Sequence, residues 1–142
     1  MTHVKASPIL VKSIDHVTMV VEDLERSAGF YVDVLGMRQV DRPAFSFPGL
    51  WFQAGATQVH LILQSDQSGP AGFPQPLSST AAGRTFHFAF EVADCHAALA
   101  YLKELGIRIR GGPNQRPDGC TQIWCYDPDG HVVELFSRPR AG

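Results

Sequence analysis

Apolar and polar positions along this chain switch between two periods, and the switches mark out the elements. Ile14-Asp15-His16-Val17-Thr18-Met19-Val20-Val21 reads as a strand from its β-branched content. Asp23 then stands as an N-cap, and Glu25 favours the positive end of a helix dipole. Leu24, Ala28, Tyr31 and Leu35 recur at helical spacing, and Gly36 fits a left-handed stop. Strands follow around Met37–Asp41, at Leu50–Ala54 and at Gln58–Leu63. The Pro and Phe residues at 43–48 predict a loop able to overhang a cavity. Residues 65–84 are rich in Ser, Gly and Pro and lack any period, which marks a linker or a lid. Thr85–Val92 is the next strand and Asp94 the next N-cap. Ala98, Tyr101, Leu102 and Leu105 make the next helical stripe, closed by Gly106. Ile107–Arg110 is a short strand and 111–119 a loop. Cys120–Tyr126 and His131–Phe136 form a closing hairpin, with Pro128 presetting the first central φ of the turn and Gly130 supplying its left-handed residue. Residues 1–12 form a short surface arm in which Pro8 blocks early helix and His3 is solvated.

The second half repeats the first. IDHVTMVVEDLERSAGFY superposes on TFHFAFEVADCHAALAYL with His16 over His87, Val21 over Val92, Asp23 over Asp94 and Phe30 over Tyr101. QVHLIL superposes on VVELFS with His60 over Glu134. The order is therefore βαβββ, linker, βαβββ, and a duplication settles an architecture better than any single element does. It predicts an α+β chain forming one domain, with modules at about 13–64 and 85–138 joined by the 65–84 linker. The two sheets, set side by side, are expected to curl into an open, incomplete β-barrel whose concave faces line one cavity.

Bulk properties narrow the setting. A length of 142 residues suits one domain, and 44% apolar with 18% charged residues is ordinary for a soluble globular protein. A net charge of −2 gives no reason to expect nucleic acid or a membrane surface. No apolar run approaches the roughly 18 residues of a membrane helix, and no signal-peptide pattern opens the chain. Cys95, Cys120 and Cys125 are odd in number and show no C-x-x-C spacing, which argues against a disulfide framework and for a reducing cytoplasm.

Chemistry concentrates at four positions. His16, His60, His87 and Glu134 each sit mid-strand among apolar neighbours, two per half, at places matched by the repeat. Apolar residues on both parities of 131–136 mean that both faces are covered, so Glu134 must be paired, metal-bound or protonated. A pseudo-twofold would bring the four groups to one point, and three imidazoles with a carboxylate in an apolar cup make a divalent transition-metal site. A single strand histidine is more often a hydrogen-bonded core residue than a ligand; four at repeat-matched positions favour metal. By strand parity Thr18 shares the face of His16. Gln122 and Trp124 line the pocket from the hairpin, core packing being the competing role for Trp124. His96 reads as solvated, and His131 as a rim residue on the face opposite Glu134. Arg38, Arg42, Arg84 and Arg116 lie in or beside loops from which a carboxylate or phosphate could be reached.

At these residues the chain resembles the vicinal oxygen chelate superfamily of glyoxalases, methylmalonyl-CoA epimerases, fosfomycin-resistance thiol transferases and extradiol dioxygenases. The match runs from Ile14 to Phe136 and is most specific in IDHVTMVVEDLERSAGFYVDVLGM and YDPDGHVVELF. The resemblance implies a glyoxalase-like fold with metal ligands at His16, His60, His87 and Glu134. It also implies one divalent ion (zinc, nickel, iron, cobalt or manganese) with open sites for a bidentate oxygen ligand. The implied activity is of lyase or isomerase type on a small-molecule substrate, with Glu134 and His60 as the catalytic groups. A site with one carboxylate and neutral imidazoles stays net positive and favours an anionic substrate.

The sequence departs from each branch of the family in some way. Glyoxalases commonly carry a second glutamate where His60 stands. Fosfomycin-resistance enzymes add a polar cluster and a tyrosine, where this chain offers Trp124. Extradiol dioxygenases use two histidines and one carboxylate and are mostly about twice this length. Antibiotic-sequestering members, such as bleomycin resistance proteins, usually lack the ligands, which leaves a non-catalytic drug-binding role as the alternative from another class. Members often dimerise, some building each site from halves of two chains, so a homodimer is expected here.

Overall fold

The computed structural model describes residues 7–72 and 81–140. His3 and the middle of the 65–84 linker lie outside the described residues. Eight strands run β1 (His16–Val21), β2 (Arg38–Val40), β3 (Gly49–Ala54), β4 (Thr57–Leu63), β5 (Phe88–Glu91), β6 (Ile109–Gln115), β7 (Thr121–Tyr126) and β8 (Val132–Ser137). They form two four-stranded sheets, ordered β1-β4-β3-β2 and β5-β8-β7-β6. In each sheet the first strand pairs in parallel with the last and the other pairings are antiparallel. The duplication seen in the sequence is thus a duplication of topology, with no closed barrel among the described residues.

Helix α1 (Leu24–Ala28) starts where Asp23 accepts the Arg26 N–H at 3.0 Å. It widens at once into a π-helical segment, Gly29–Val34, closed by Leu35 N–H to Phe30 O at 3.0 Å. A single helix was expected over this span. Phe30 and Tyr31 are consecutive and both buried, and Gly36 ends the segment at φ 76°. Helix α2 (Cys95–Glu104) starts at Asp94, which accepts the N–H groups of His96 and Ala97. Its buried stripe is Cys95, Leu99 and Leu102, whereas Tyr101 and Leu105 are exposed, so the expected stripe is shifted around the helix.

Period two decides which face of each strand is inside. Met19 and Val21 on β1, Val59 and Leu61 on β4, Ile123 and Cys125 on β7, and Val133 and Leu135 on β8 are all buried. With Phe30, Tyr31, Leu99 and Leu102 they form one core shared by both modules. Strand β6 runs further than the expected 107–110 because Gly111 and Gly112 let it bulge: its register against β7 shifts twice between Ile109 and Asn114, and Gly112 lies at φ 95°. As an edge strand it tolerates Pro113, which sequence reasoning takes for loop.

The modules are joined at the β7–β8 turn. Tyr31 donates its hydroxyl to Asp127 Oδ2 at 2.8 Å, and Asp129 accepts from the Glu22 N–H, Arg26 Nη2 and Ser27 Oγ at 3.1–3.2 Å. His131, expected at the rim, is buried, its Nδ1 2.7 Å from Asp127 Oδ2. Asp127 collects it because the tight turn folds position 131 back over position 127.

Burial, and then the Asp127 carboxylate, push the Tyr31 hydroxyl well above the usual tyrosine range. Tyr31→Phe should therefore destabilise by about 1–3 kcal/mol, read by urea unfolding at pH 8. In the wild type, stability should be full below pH about 10 and fall above it, where only the unfolded chain ionises this group; Tyr31→Phe should flatten that fall. The thiols are equally sheltered. All three are free and buried, and burial and Asp127 push Cys125 up to about 12. Native protein at pH 8 should resist iodoacetamide at Cys125, with mass spectrometry showing full modification only after denaturation.

Candidate metal centre

The four residues arrive as two pairs on the faces turned away from the shared core, but not all mid-strand as expected: His16 opens β1 and His87 lies just before β5. On the first sheet Thr18 pairs in register with His60, and His60 with Trp51. The rings stack in a row: Trp51 on His60 at 4.0 Å between centroids, and His60 on His16 at 4.0 Å. On the second sheet Ala89 and Trp124 flank Glu134 in register. His87 Nε2 lies 3.0 Å from Glu134 Oε1.

Hydrogen bonds fix what each group can offer. His87 Nδ1 lies 2.7 Å from the Thr85 carbonyl, which can only accept, so Nδ1 carries a proton and, in the neutral ring, Nε2 carries a lone pair. That lone pair faces a carboxylate oxygen that already accepts Trp124 Nε1–H at 3.1 Å. Two lone pairs 3.0 Å apart need one positive charge, a proton or a cation, to hold them there. The spacing also matches two adjacent ligands on an ion bound at about 2.0–2.2 Å to each. Gln122 donates to the other oxygen of Glu134 at 3.2 Å and accepts from Asn114 at 3.0 Å. Both expected pocket residues of the hairpin therefore touch the acid. Trp124 and Gln122 also line a cavity of about 620 Å³ with Arg84 and Asn114, and Trp124 packs with Tyr126, Val132 and Ala82 as well.

In the first half, His16 donates Nδ1–H to Asp15 at 2.8 Å, which leaves its Nε2 free. His60 differs. Its Nε2 lies 2.8 Å from Gln58 Oε1, Gln58 donates to Gln53 at 3.0 Å, and Gln53 donates to the Gly55 carbonyl at 2.7 Å. This relay makes His60 Nε2 a donor and leaves Nδ1 bare. Burial first, and then His16, lower its pKa; Arg42 adds to the fall and Asp15 opposes it. Thr18 is exposed beside it. Trp51, Gln53, Gln58, Asp15 and Asn114 escaped the sequence reading; the alternation of 49–54 against 57–63 was the signal that would have put Trp51 opposite His60.

Within one chain the two pairs do not merge. Among the described residues, the one set of three or more His, Cys, Asp or Glu ligand atoms all within 4.8 Å of one another is Asp127, Asp129 and His131. That set is consumed structurally, since Asp127 also accepts the N–H groups of Asp129 and His131 and Asp129 holds α1.

Comparison with known proteins agrees with this architecture. An ethylmalonyl-CoA/methylmalonyl-CoA epimerase of Cereibacter sphaeroides is 31% identical over 134 residues, covering 89% of this chain and 98% of its own. Glyoxylase I 4 of Arabidopsis thaliana is 24% identical, covering 91% of this chain and 72% of its own. A crystal structure of a glyoxalase/dioxygenase from Nostoc punctiforme shares the fold, with a TM-score of 0.75 at 23% identity over 99% of this chain and 100% of that one. The family model of the glyoxalase/bleomycin resistance protein/dioxygenase superfamily matches residues 13–135, and the chain belongs to that superfamily.

Proposed function

We propose that this chain is a divalent-metal-dependent enzyme of lyase or isomerase type acting on a small substrate that presents two neighbouring oxygens. The observation that carries this is the 3.0 Å approach of His87 Nε2 to Glu134 Oε1, with His87 fixed by Thr85 on one side and Glu134 by Trp124 on the other. His16, His87 and Glu134 would hold the ion through free donor atoms, with His60 beside them. When bound, the ion supplies Lewis-acid stabilisation of negative charge on the substrate oxygens. Burial and His16 disfavour the charged form of His60, whose Nδ1 is left without a partner facing the site. Glu134 keeps its orientation through Trp124 and Gln122 whatever happens at its oxygens. Relatives named as epimerases, lactoylglutathione lyases and catechol dioxygenases set the substrates worth trying: 2-methylacyl-CoA thioesters, hemithioacetals and catechols.

Each chain supplies two half-sites, so the complete site joins His16 and His60 of one protomer to His87 and Glu134 of a second copy. Exposed apolar residues support a covering partner: Ile14 precedes β1, Phe86 precedes β5, and both are more than 60% exposed.

Protein purified without chelators should carry metal and run as a dimer, and Glu134→Gln should lower metal occupancy at least tenfold after dialysis. Full occupancy in that variant ends the metal reading. Mixing unfolded His16→Ala and His87→Ala chains and refolding them together should restore about a quarter of the sites, since each mixed dimer has one intact site of two. No restoration places the site within one chain.

A further inference from the structure

Arg42 lies in the 41–48 loop between β2 and β3, and it is built into the ring-bearing face of the first sheet. Its guanidinium fills the space that Gly49 leaves bare. A Cβ on Gly49 would stand 2.8 Å from Arg42 Nη2 and 2.9 Å from its Cζ. Gly49 pairs in register with Ile62, two residues along from Trp51 and His60, so the guanidinium sits on the same face as those rings. Its Cζ is 4.8 Å from the centroid of Phe45 and 5.0 Å from that of Phe47. Phe45 in turn lies 6.2 Å from Trp51, so the charge caps the end of the aromatic row.

One N–H of the group is nevertheless unsatisfied. Arg42 Nε is buried without a hydrogen-bond partner, and among the described residues no carboxylate pairs with the guanidinium. A desolvated N–H of a charged group left without an acceptor costs free energy, and an anion would recover it. Phe47 also walls a cavity of about 610 Å³ with Val20, Ile62 and Leu63, whose polar side is Gln64, Ser65 and Gln67. Phe47 belongs to both features, since it backs the cation on one side and walls this hollow on the other.

We propose that Arg42 is the anion-binding residue of this face, receiving the carboxylate of an organic acid whose apolar body lies in the hollow against Phe47 and Ile62. The inference rests on the reading above that this face meets substrate, and it names the class of that substrate. The planar guanidinium suits a carboxylate because it offers parallel N–H donors that match two oxygens.

The test uses 2-naphthoate and its uncharged analogue 2-naphthamide, titrated into the full chain as purified and again after EDTA treatment, with tryptophan fluorescence as readout. The acid should bind at least tenfold more tightly than the amide in both preparations. Arg42→Gln should abolish that preference and Arg42→Lys should retain part of it, with metal content unchanged in both. The proposal is overturned if the acid does not bind, if the preference survives Arg42→Gln, or if it vanishes on EDTA treatment of the wild type. It is equally overturned if Arg42→Gln dissociates the dimer while leaving the preference intact, because Arg42 would then serve the contact between copies. A chain that carries no metal yet shows the Arg42-dependent preference sinks the metal reading alone.

Discussion

Everything in this molecule hangs on one buried carboxylate at the turn between β7 and β8. Asp127 accepts from the Tyr31 hydroxyl, from His131 Nδ1 and from the backbone N–H groups of Asp129 and His131. Burying an acid is tolerable only when its lone pairs are met, and here four donors meet them. One of those donors belongs to the other module. Asp129, two residues on, grips the start of α1 through Arg26, Ser27 and the Glu22 N–H. The second hairpin is thereby bolted to the first helix, and the inner faces of both sheets are drawn into one core. Asp127, Asp129 and His131 have the composition and spacing of a metal site, but their acceptors are already used by the protein.

With the inner faces committed, strand parity leaves the chemistry on the other side. The two pairs are not equivalent. Around Glu134 every contact is a directed hydrogen bond: Asn114 to Gln122 to the acid, Trp124 to the acid, and His87 fixed by Thr85. This half is set before any ligand arrives, the arrangement expected of a group that must keep its geometry. Around His16 the hold is looser, since Asp15 is exposed and the His16 side chain is 42% exposed. The first half offers flat rings; the second offers a fixed acid.

Much of this was legible in the sequence because it is carried by repetition and period. The two N-caps, the left-handed glycines at 36, 106 and 130 and the matched sheet orders follow from local chemistry that the duplication states twice. The face shared by His16, Thr18 and His60, and that shared by Gln122, Trp124 and Glu134, follow from alternation alone. Where reading failed, the cause was tertiary. His131 has the parity of a rim residue, yet the carboxylate four positions back overrides parity. Gly111-Gly112-Pro113 looks like loop, yet an edge strand absorbs it by bulging. Nothing in the local sequence tells Arg42 from Arg84 or Arg116. What separates them is the bare Cα of Gly49 and the two phenyl rings under the guanidinium, which only folding brings together.

Those same rings give the first sheet a direction. Starting from Arg42, the row passes Phe45, then Trp51 at 6.2 Å, then His60 and His16 at 4.0 Å each, and ends beside Asp15. One end carries an unpaired cation; the other carries an imidazole with a free Nε2. His60 lies face to face with Trp51 on one side and with His16 on the other, so both of its faces are covered and the row offers only ring edges to anything outside it. Because His60 Nε2–H is tied down by Gln58, the ring cannot turn to meet an incoming ligand without breaking a three-amide relay. Ring contact and hydrogen bond together hold the stack rigid, with the Arg42 charge beyond one end and the free His16 Nε2 at the other.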